Sequence, residues 1–260
     1  MLNFFYIILL IFNCNANLLV VIPIFNRPGY VCLVLKNLVT NPCLNCTFIL
    51  LEDSDSTIGK TQLLQWSAPH FQYLQMTKPE SFLKRKKIAN FMAQKAHYLF
   101  NDMTNADHLL LLDSDMLPCP DWNAKLLKAL TQLGPKFRGV LTLYRSGAKW
   151  HKSLFCDTFL CKQSSIGNAG TVWSRQLSFY LLTRKLNINN WDMEWTDLFN
   201  KKKIPQMALK ESALLHMGMY GSNGIDSQKE KAIGFPVNYN LSDAFLNGLS
   251  PENNNLCIFV

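Results

Sequence analysis

Short, almost wholly apolar runs constrain the fold of this chain more than any other feature. The runs are Leu18–Phe25, Thr47–Leu51, Asp107–Leu112 and Gly139–Tyr144. Each is short and bounded by turn-forming or polar residues, so each predicts a strand buried within a sheet. Segments with helical spacing of apolar residues separate them. Strands that alternate with helices in this way predict an α/β fold with an open, mostly parallel, Rossmann-like sheet flanked by helices.

The spacing also places the connecting elements. Four helices are predicted in the first half of the chain, at Tyr30–Val39, Thr61–Trp66, Phe82–Phe100 and Asp121–Leu133. A short strand is predicted at Phe71–Gln75, between the second and third of these helices. Asp121 is expected to cap the last of these. After Arg145 the alternation weakens, and the expected elements are a hairpin around 156–161 and helices at Ser174–Leu182 and Trp191–Asn200.

The two ends of the chain differ from the rest. The apolar core Phe4–Phe12 is too short to cross a bilayer as a helix, which needs about 20 residues. Residues 1–16 therefore predict a secretory signal peptide, although no Lys or Arg precedes the core. The alternative is a strand or helix that stays in the fold of a cytoplasmic protein. Residues 17–234 are expected to form one domain and 235–260 a tail, with no later membrane span.

Charge and cysteine content narrow the class of ligand and the compartment. The net charge of +8 favours anionic ligands such as nucleotide diphosphates, and no nucleic-acid-binding signature accompanies it. Cys43/Cys46 and Cys156/Cys161 are close enough in sequence to form local disulfides in an oxidising compartment. The first pair could instead be half of a zinc site, but neither a second such pair nor a suitably spaced pair of histidines follows.

The sharpest chemical feature is Asp113-Ser114-Asp115, which follows four consecutive leucines. Two carboxylates at the exposed end of a buried strand can converge on one hard divalent cation. Such a cation commonly bridges diphosphate oxygens and offsets the charge of a leaving phosphate. The alternative is a turn that merely ends the strand.

A second acidic stretch, Glu52–Ser56, lies at the end of the preceding central strand. A carboxylate there could accept hydrogen bonds from a nucleobase or ribose, or could simply belong to a solvated loop. Ligands of open α/β sheets bind at the carboxyl ends of the strands, so both acidic stretches are expected in one crevice.

Six motifs in order carry a more specific resemblance. They are Val21–Arg27, Leu51–Thr57, Leu111–Met116, Gly167–Gly170, Asn190–Phe199 and His216–Ser222. Together they resemble the GT-A glycosyltransferases, in particular the large inverting nucleotide-sugar transferase family. The resemblance covers about residues 18–224, and the first three motifs are the most specific.

The resemblance implies a role for each matching residue. Residues implied at the nucleotide or donor sugar are Pro23, Phe25, Arg27, Asp53, Asn90, Asp113, Ser114 and Gly170. Asn90 matches only in part, because the residues before it are Lys86, Lys87, Ile88 and Ala89. The residues implied at Mn²⁺ or Mg²⁺ are Asp113, Asp115 and His216.

The resemblance also implies a carboxylate base that takes the proton of the acceptor hydroxyl. Asp192, Glu194 and Asp197 are the candidates, and Asp192 looks most like the family's base. Each could instead complement the positive end of its helix.

The expected function is metal-dependent transfer of a sugar, with inversion, from a nucleotide-diphosphate donor to a hydroxyl of a glycan, protein or lipid. One alternative is a nucleotidyltransferase, although the loop after the first strand has a single glycine. The other is a secreted, inactive protein that binds carbohydrate or nucleotide sugar.

Overall fold

The computed structural model describes residues 17–43, 45–76, 88–147, 151–184, 186, 191–217 and 233–234. The predicted signal peptide, the predicted tail and the first six residues of the helix predicted at Phe82–Phe100 lie outside these residues.

The described strands and helices follow one another along the chain in a mainly alternating order. The strands are β1 Leu18–Ile24, β2 Cys46–Asp53, β3 Phe71–Met76, β4 His108–Leu111, β5 Met116–Pro118, β6 Val140–Thr142, β7 Ser153–Cys156, β8 Leu160–Gln163, β9 Thr171–Ser174, β10 Gln206–Leu209 and β11 Leu214–His216. The helices are α1 Pro28–Thr40, α2 Lys60–Trp66, α3 Ile88–Met103, α4 Trp122–Leu133, α5 Arg175–Leu182 and α6 Trp191–Lys202.

Nine of these strands form one mixed, mostly parallel sheet of Rossmann-like character. Its order is β3-β2-β1-β4-β9-β6-β10-β8-β7. Strands β3, β2, β1 and β4 run parallel, whereas β9 runs against both its neighbours, and β8 also runs against both of its own. The chain moves outward from β1 to β3 and then returns to the other side of β1 at β4. This reversal of strand order is the place where open α/β sheets bind ligands.

Alternate residues of β1 pack on opposite faces of the sheet. Leu18, Val20 and Ile22 belong to a core that includes residues of α1 and α4. Leu19 and Val21 belong to a second core that includes residues of α3, α5 and α6. The strand is buried throughout because helices cover both faces, which explains why its sequence is apolar without alternation.

A separate two-stranded sheet joins the two halves of the chain. Strand β11 pairs antiparallel with β5, with His216 opposite Met116. The backbone N–H of Met217 also donates to the carbonyl of Asp115 at 2.8 Å. These contacts bring a late segment of the chain against the turn that follows β4.

The structure confirms the mostly parallel α/β architecture and both local disulfides, Cys43–Cys46 and Cys156–Cys161. Asp121 occupies the predicted N-cap position of α4, but its carboxylate makes no capping bond. The carboxylate instead accepts from the Cys119 thiol and pairs with Lys125. None of the helices in the described ranges is both long and apolar enough to cross a bilayer.

Candidate functional site

The loop between β1 and α1 is held in an uncommon backbone conformation. Asn26 and Arg27 both have left-handed φ angles, 53° and 59°. The Asn26 side-chain oxygen accepts hydrogen bonds from the backbone N–H and the hydroxyl of Thr57, at 2.9 and 3.1 Å. Asparagine adopts this region more readily than most residues, whereas arginine does so at a cost. The Thr57 contacts therefore fix the loop against the one that follows β2.

The Asp113–Asp115 turn lies beside this loop. The N–H of Leu112 donates to the carbonyl of Val21, and the N–H of Met116 closes the turn by donating to the carbonyl of Asp113. Ser114 and Asp115 are buried, and Asp113 is half-buried. The turn is thus held by β1 on one side, through Val21, and by the end of β11 on the other, through the bond from Met217 to Asp115.

Asp115 is the most heavily engaged carboxylate of the site. Arg27 donates from Nη1 to its Oδ2 at 2.5 Å, and Nε2 of His216 lies 3.4 Å from the same oxygen. Burial by itself would raise the pKa of Asp115. The hydrogen bond from His216 and the charges of His216 and Arg27 outweigh burial, so the pKa lies below its ordinary value and the carboxylate stays charged.

The pKa of Asp113 is shifted in the opposite direction, above its ordinary value. Burial and the neighbouring charge of Asp115 raise its pKa to about 7, and the charges of His216 and Arg27 only partly offset them. A further cation beside the pair would favour the charged form of Asp113. Two carboxylates with an imidazole are a suitable donor set for a divalent cation such as Mn²⁺ or Mg²⁺.

The three side chains are not already arranged as a metal cage. No group of three or more His, Cys, Asp or Glu residues in the described ranges has the geometry to hold a metal ion. Arg27 lies against the Oδ2 atom of Asp115, one of the two carboxylate oxygens that a metal could use. The donor set therefore fits a cation by its chemistry, although the described side chains do not form a metal cage as they stand.

Both carboxylates at the acidic end of β2 are buried and accept hydrogen bonds. Glu52 is buried and accepts from the hydroxyl of Tyr73 at 2.6 Å and from the N–H of Gly59 at 2.9 Å. Asp53, implied at the nucleobase, is buried at the end of the strand and accepts from the N–H of Asp55.

The other residues implied at the nucleotide have varied positions. Pro23 is buried within β1, whereas Phe25, just beyond the strand, is exposed. Asn90 is buried in the first turn of α3. Gly170 has a φ of +61°, and a Cβ there would lie 2.2 Å from Cδ1 of Leu214 in β11. Packing alone gives this position a reason to be glycine.

A cavity of about 560 Å³ adjoins His216. We call it the His216 cavity; the polar residues lining it include Tyr144, Arg145, His151, Gln163, Asp197 and His216. The ring of Tyr144 meets the imidazole of His216 edge-on, with centroids 5.9 Å apart. The imidazole thus lies between the Asp115 carboxylate and the cavity.

Helix α6 contributes one wall of this cavity. Trp191, Trp195 and Phe199 are buried, while Met193, Thr196 and Asp197 line the cavity. Glu194 is half-buried and is not among the described lining residues. Asp192 belongs to the helix, but its side chain lies outside the described part of the structure. Of the three candidate bases, Asp197 is the one whose side chain is described at the cavity.

Sequence reasoning missed the ion pair of Arg27 with Asp115, because it had placed the two residues in separate roles. It also missed the strand that carries His216. No local pattern in the sequence indicates the ion pair, because its two residues are 88 positions apart.

Comparisons with known proteins add little. No family model matches the chain, and no curated protein matches it. One similar solved structure, titled "Crystal Structure of A197 from STIV", has 17% sequence identity and a TM-score of 0.41; the match covers 76% of this chain and 83% of that one. A similarity of this size supports no conclusion about activity.

Proposed function

We propose that this chain is a metal-dependent glycosyltransferase with a GT-A fold. It transfers a sugar, with inversion, from a nucleotide-diphosphate donor to a hydroxyl of a glycan, protein or lipid acceptor. The single observation that carries the proposal is the meeting of Asp113, Asp115 and His216 at the reversal of strand order, next to a cavity lined by Asp197.

The charge balance supports a phosphate-bearing donor. One buried and one half-buried carboxylate offer oxygen ligands to a divalent cation, and Arg27 adds a guanidinium on the same edge of the sheet. When bound, Mn²⁺ or Mg²⁺ would be held by Asp113, Asp115 and His216 and would neutralise charge on the departing nucleotide diphosphate. The family resemblance implies that Asp53, which is buried at the neighbouring strand end, contacts the base.

The His216 cavity is the place that we assign to the acceptor. Its volume of about 560 Å³ lies within the range of small-molecule sites. In the transfer, the acceptor oxygen bonds to the anomeric carbon as the bond from that carbon to the diphosphate oxygen breaks. The hydroxyl proton passes to a carboxylate, and we assign this role to Asp197 because it faces the cavity. Attack from the side opposite the leaving group inverts the anomeric centre.

The deciding experiment is calorimetric titration of UDP and GDP with and without Mn²⁺. We expect binding of one nucleotide that requires the metal and is lost in Asp115→Asn. The matched control is Asp121→Asn, which removes an exposed carboxylate paired with Lys125, away from the site. It should bind as the natural protein does.

Other outcomes would favour the alternatives. Metal-dependent nucleotide binding without hydrolysis of any nucleotide sugar, or transfer from it, would indicate an inactive binding protein. Transfer of a nucleotidyl group rather than a sugar would indicate a nucleotidyltransferase. Absence of binding to either nucleotide by the folded protein would contradict the proposal for UDP- and GDP-sugars.

We also propose that the protein enters the secretory pathway. The two local disulfides support this, since such bonds persist mainly in oxidising compartments.

A further inference from the structure

We infer that Arg27 is an internal counter-cation of Asp115 that must leave this carboxylate before a divalent cation can bind. The inference rests on the proposed function, since it concerns the same acidic pair. It adds a competition between a side chain and the metal, and it predicts that removing Arg27 strengthens metal binding. A residue that only helped to build the site would have the opposite effect.

The contacts of one oxygen atom carry the inference. Oδ2 of Asp115 lies 2.5 Å from Nη1 of Arg27 and 3.4 Å from Nε2 of His216. The Asp115 side chain is 8% exposed, so its charge is poorly screened by water. A cation bound to the same oxygen would repel the guanidinium at close range. Arg27 and the metal therefore exclude one another at this atom.

The two partners differ in their freedom to move. Asp115 is fixed between the turn and β11 by its backbone contact with Met217. The Arg27 side chain is 39% exposed and begins at a loop residue directly before α1. Displacement thus costs one partly exposed ion pair and leaves the fold intact, and the guanidinium is the partner that moves.

Once released, Arg27 has a second use at the same edge of the sheet. A planar guanidinium binds phosphate oxygens through two parallel hydrogen bonds. The residue would then stabilise the diphosphate that arrives with the metal. Binding of the metal and of the diphosphate would be cooperative, because the metal frees the group that the diphosphate uses.

Arg27→Met tests the inference with the full chain. Methionine has a similar length and, as a non-glycine residue, the same backbone requirement, but it has no charge. Mn²⁺ alone is titrated and followed by the loss of the free-ion electron paramagnetic resonance signal. Inorganic pyrophosphate is then titrated by calorimetry onto the Mn²⁺-loaded protein. Arg138→Met is the control for lost charge, since Arg138 is exposed and bonds only to the carbonyls of Pro135 and Phe137 among the contacts described.

We expect Mn²⁺ to bind Arg27→Met about tenfold more tightly than the natural protein, and pyrophosphate to bind the loaded variant about fivefold more weakly. Both affinities of Arg27→Lys should lie between those of the natural protein and of Arg27→Met. Both affinities of Arg138→Met should equal those of the natural protein. Equal or weaker Mn²⁺ binding by a folded Arg27→Met would overturn the inference and leave the proposed function standing. Failure of both proteins to bind Mn²⁺ would overturn the proposed function as well. Thermal melts of each variant show whether it is folded.

Discussion

Gly170 offers the most direct test of how the site is held together. In Gly170→Ala the new methyl group would lie 2.2 Å from Cδ1 of Leu214, and the residue would keep a φ of +61°. The left-handed backbone costs an alanine about 1–2 kcal/mol. Displacing Leu214 in a packed core adds about 1–3 kcal/mol. We therefore expect the variant to lose about 2–5 kcal/mol of unfolding free energy.

Urea unfolding at equilibrium measures this loss, and the chain provides a matched control. A Cβ at Gly167 would lie 3.8 Å from Nε2 of His151, an ordinary contact, and this glycine has no left-handed φ. Gly167→Ala should change stability by no more than about 0.5 kcal/mol. Both glycines belong to the same motif, so the comparison separates position from residue type.

A double-mutant cycle separates the two contributions. In a Leu214→Ala background the obstructing atom is absent, so Gly170→Ala should cost only the backbone part, about 1–2 kcal/mol. If Gly170→Ala is as stable as Gly167→Ala and loses only nucleotide binding, the packing argument is wrong. Gly170 would then be glycine because a donor sugar approaches it, as the family resemblance implies.

Three further predictions concern other parts of the molecule. His97 is fully buried, and burial lowers its pKa to about 3. The free energy of unfolding should therefore fall as the pH drops below about 6.5, by up to about 1.4 kcal/mol per pH unit. Urea unfolding of the natural protein and of His97→Asn over a range of pH tests this, and the same pH dependence in both proteins would contradict it. Tyr73→Phe removes the 2.6 Å hydrogen bond to buried Glu52 and should cost about 1–3 kcal/mol in urea unfolding, whereas Tyr98→Phe at an exposed site should cost little. Asp197→Asn should lower sugar transfer by at least about 100-fold with nucleotide affinity unchanged in calorimetry, and a fully active variant would remove Asp197 as the base.

The first half of the fold could be predicted because each of its strands and helices has a recognisable pattern within its own sequence. Strands β1, β2 and β4 each contain a continuous apolar run, and the helices between them carry apolar residues at helical spacing. Such patterns fix element type and order without knowledge of distant partners. The sequence also indicated the carboxyl edge of the sheet as the candidate site, because the acidic residues follow buried strands.

The second half could not be predicted in the same way because its information is long-range. Strands β10 and β11 have four and three residues, too few to show a period. Strand β9 enters the sheet antiparallel between β4 and β6, and nothing in its four residues specifies that direction. The ion pair of Arg27 with Asp115 joins residues 88 positions apart, and the spacing of motifs carries no information about it.

Strand β11 links the stability of the fold to the chemistry of the site. One of its residues, Leu214, packs against Gly170, and another, His216, reaches the Asp115 carboxylate. A substitution at Gly170 meets the end of the Leu214 side chain, and the backbone of this three-residue strand also carries His216. If the Leu214 backbone shifts in response, the imidazole would shift relative to the acidic pair and to the His216 cavity. The glycine motif and the acidic motif, far apart in sequence, thus contact the same short strand.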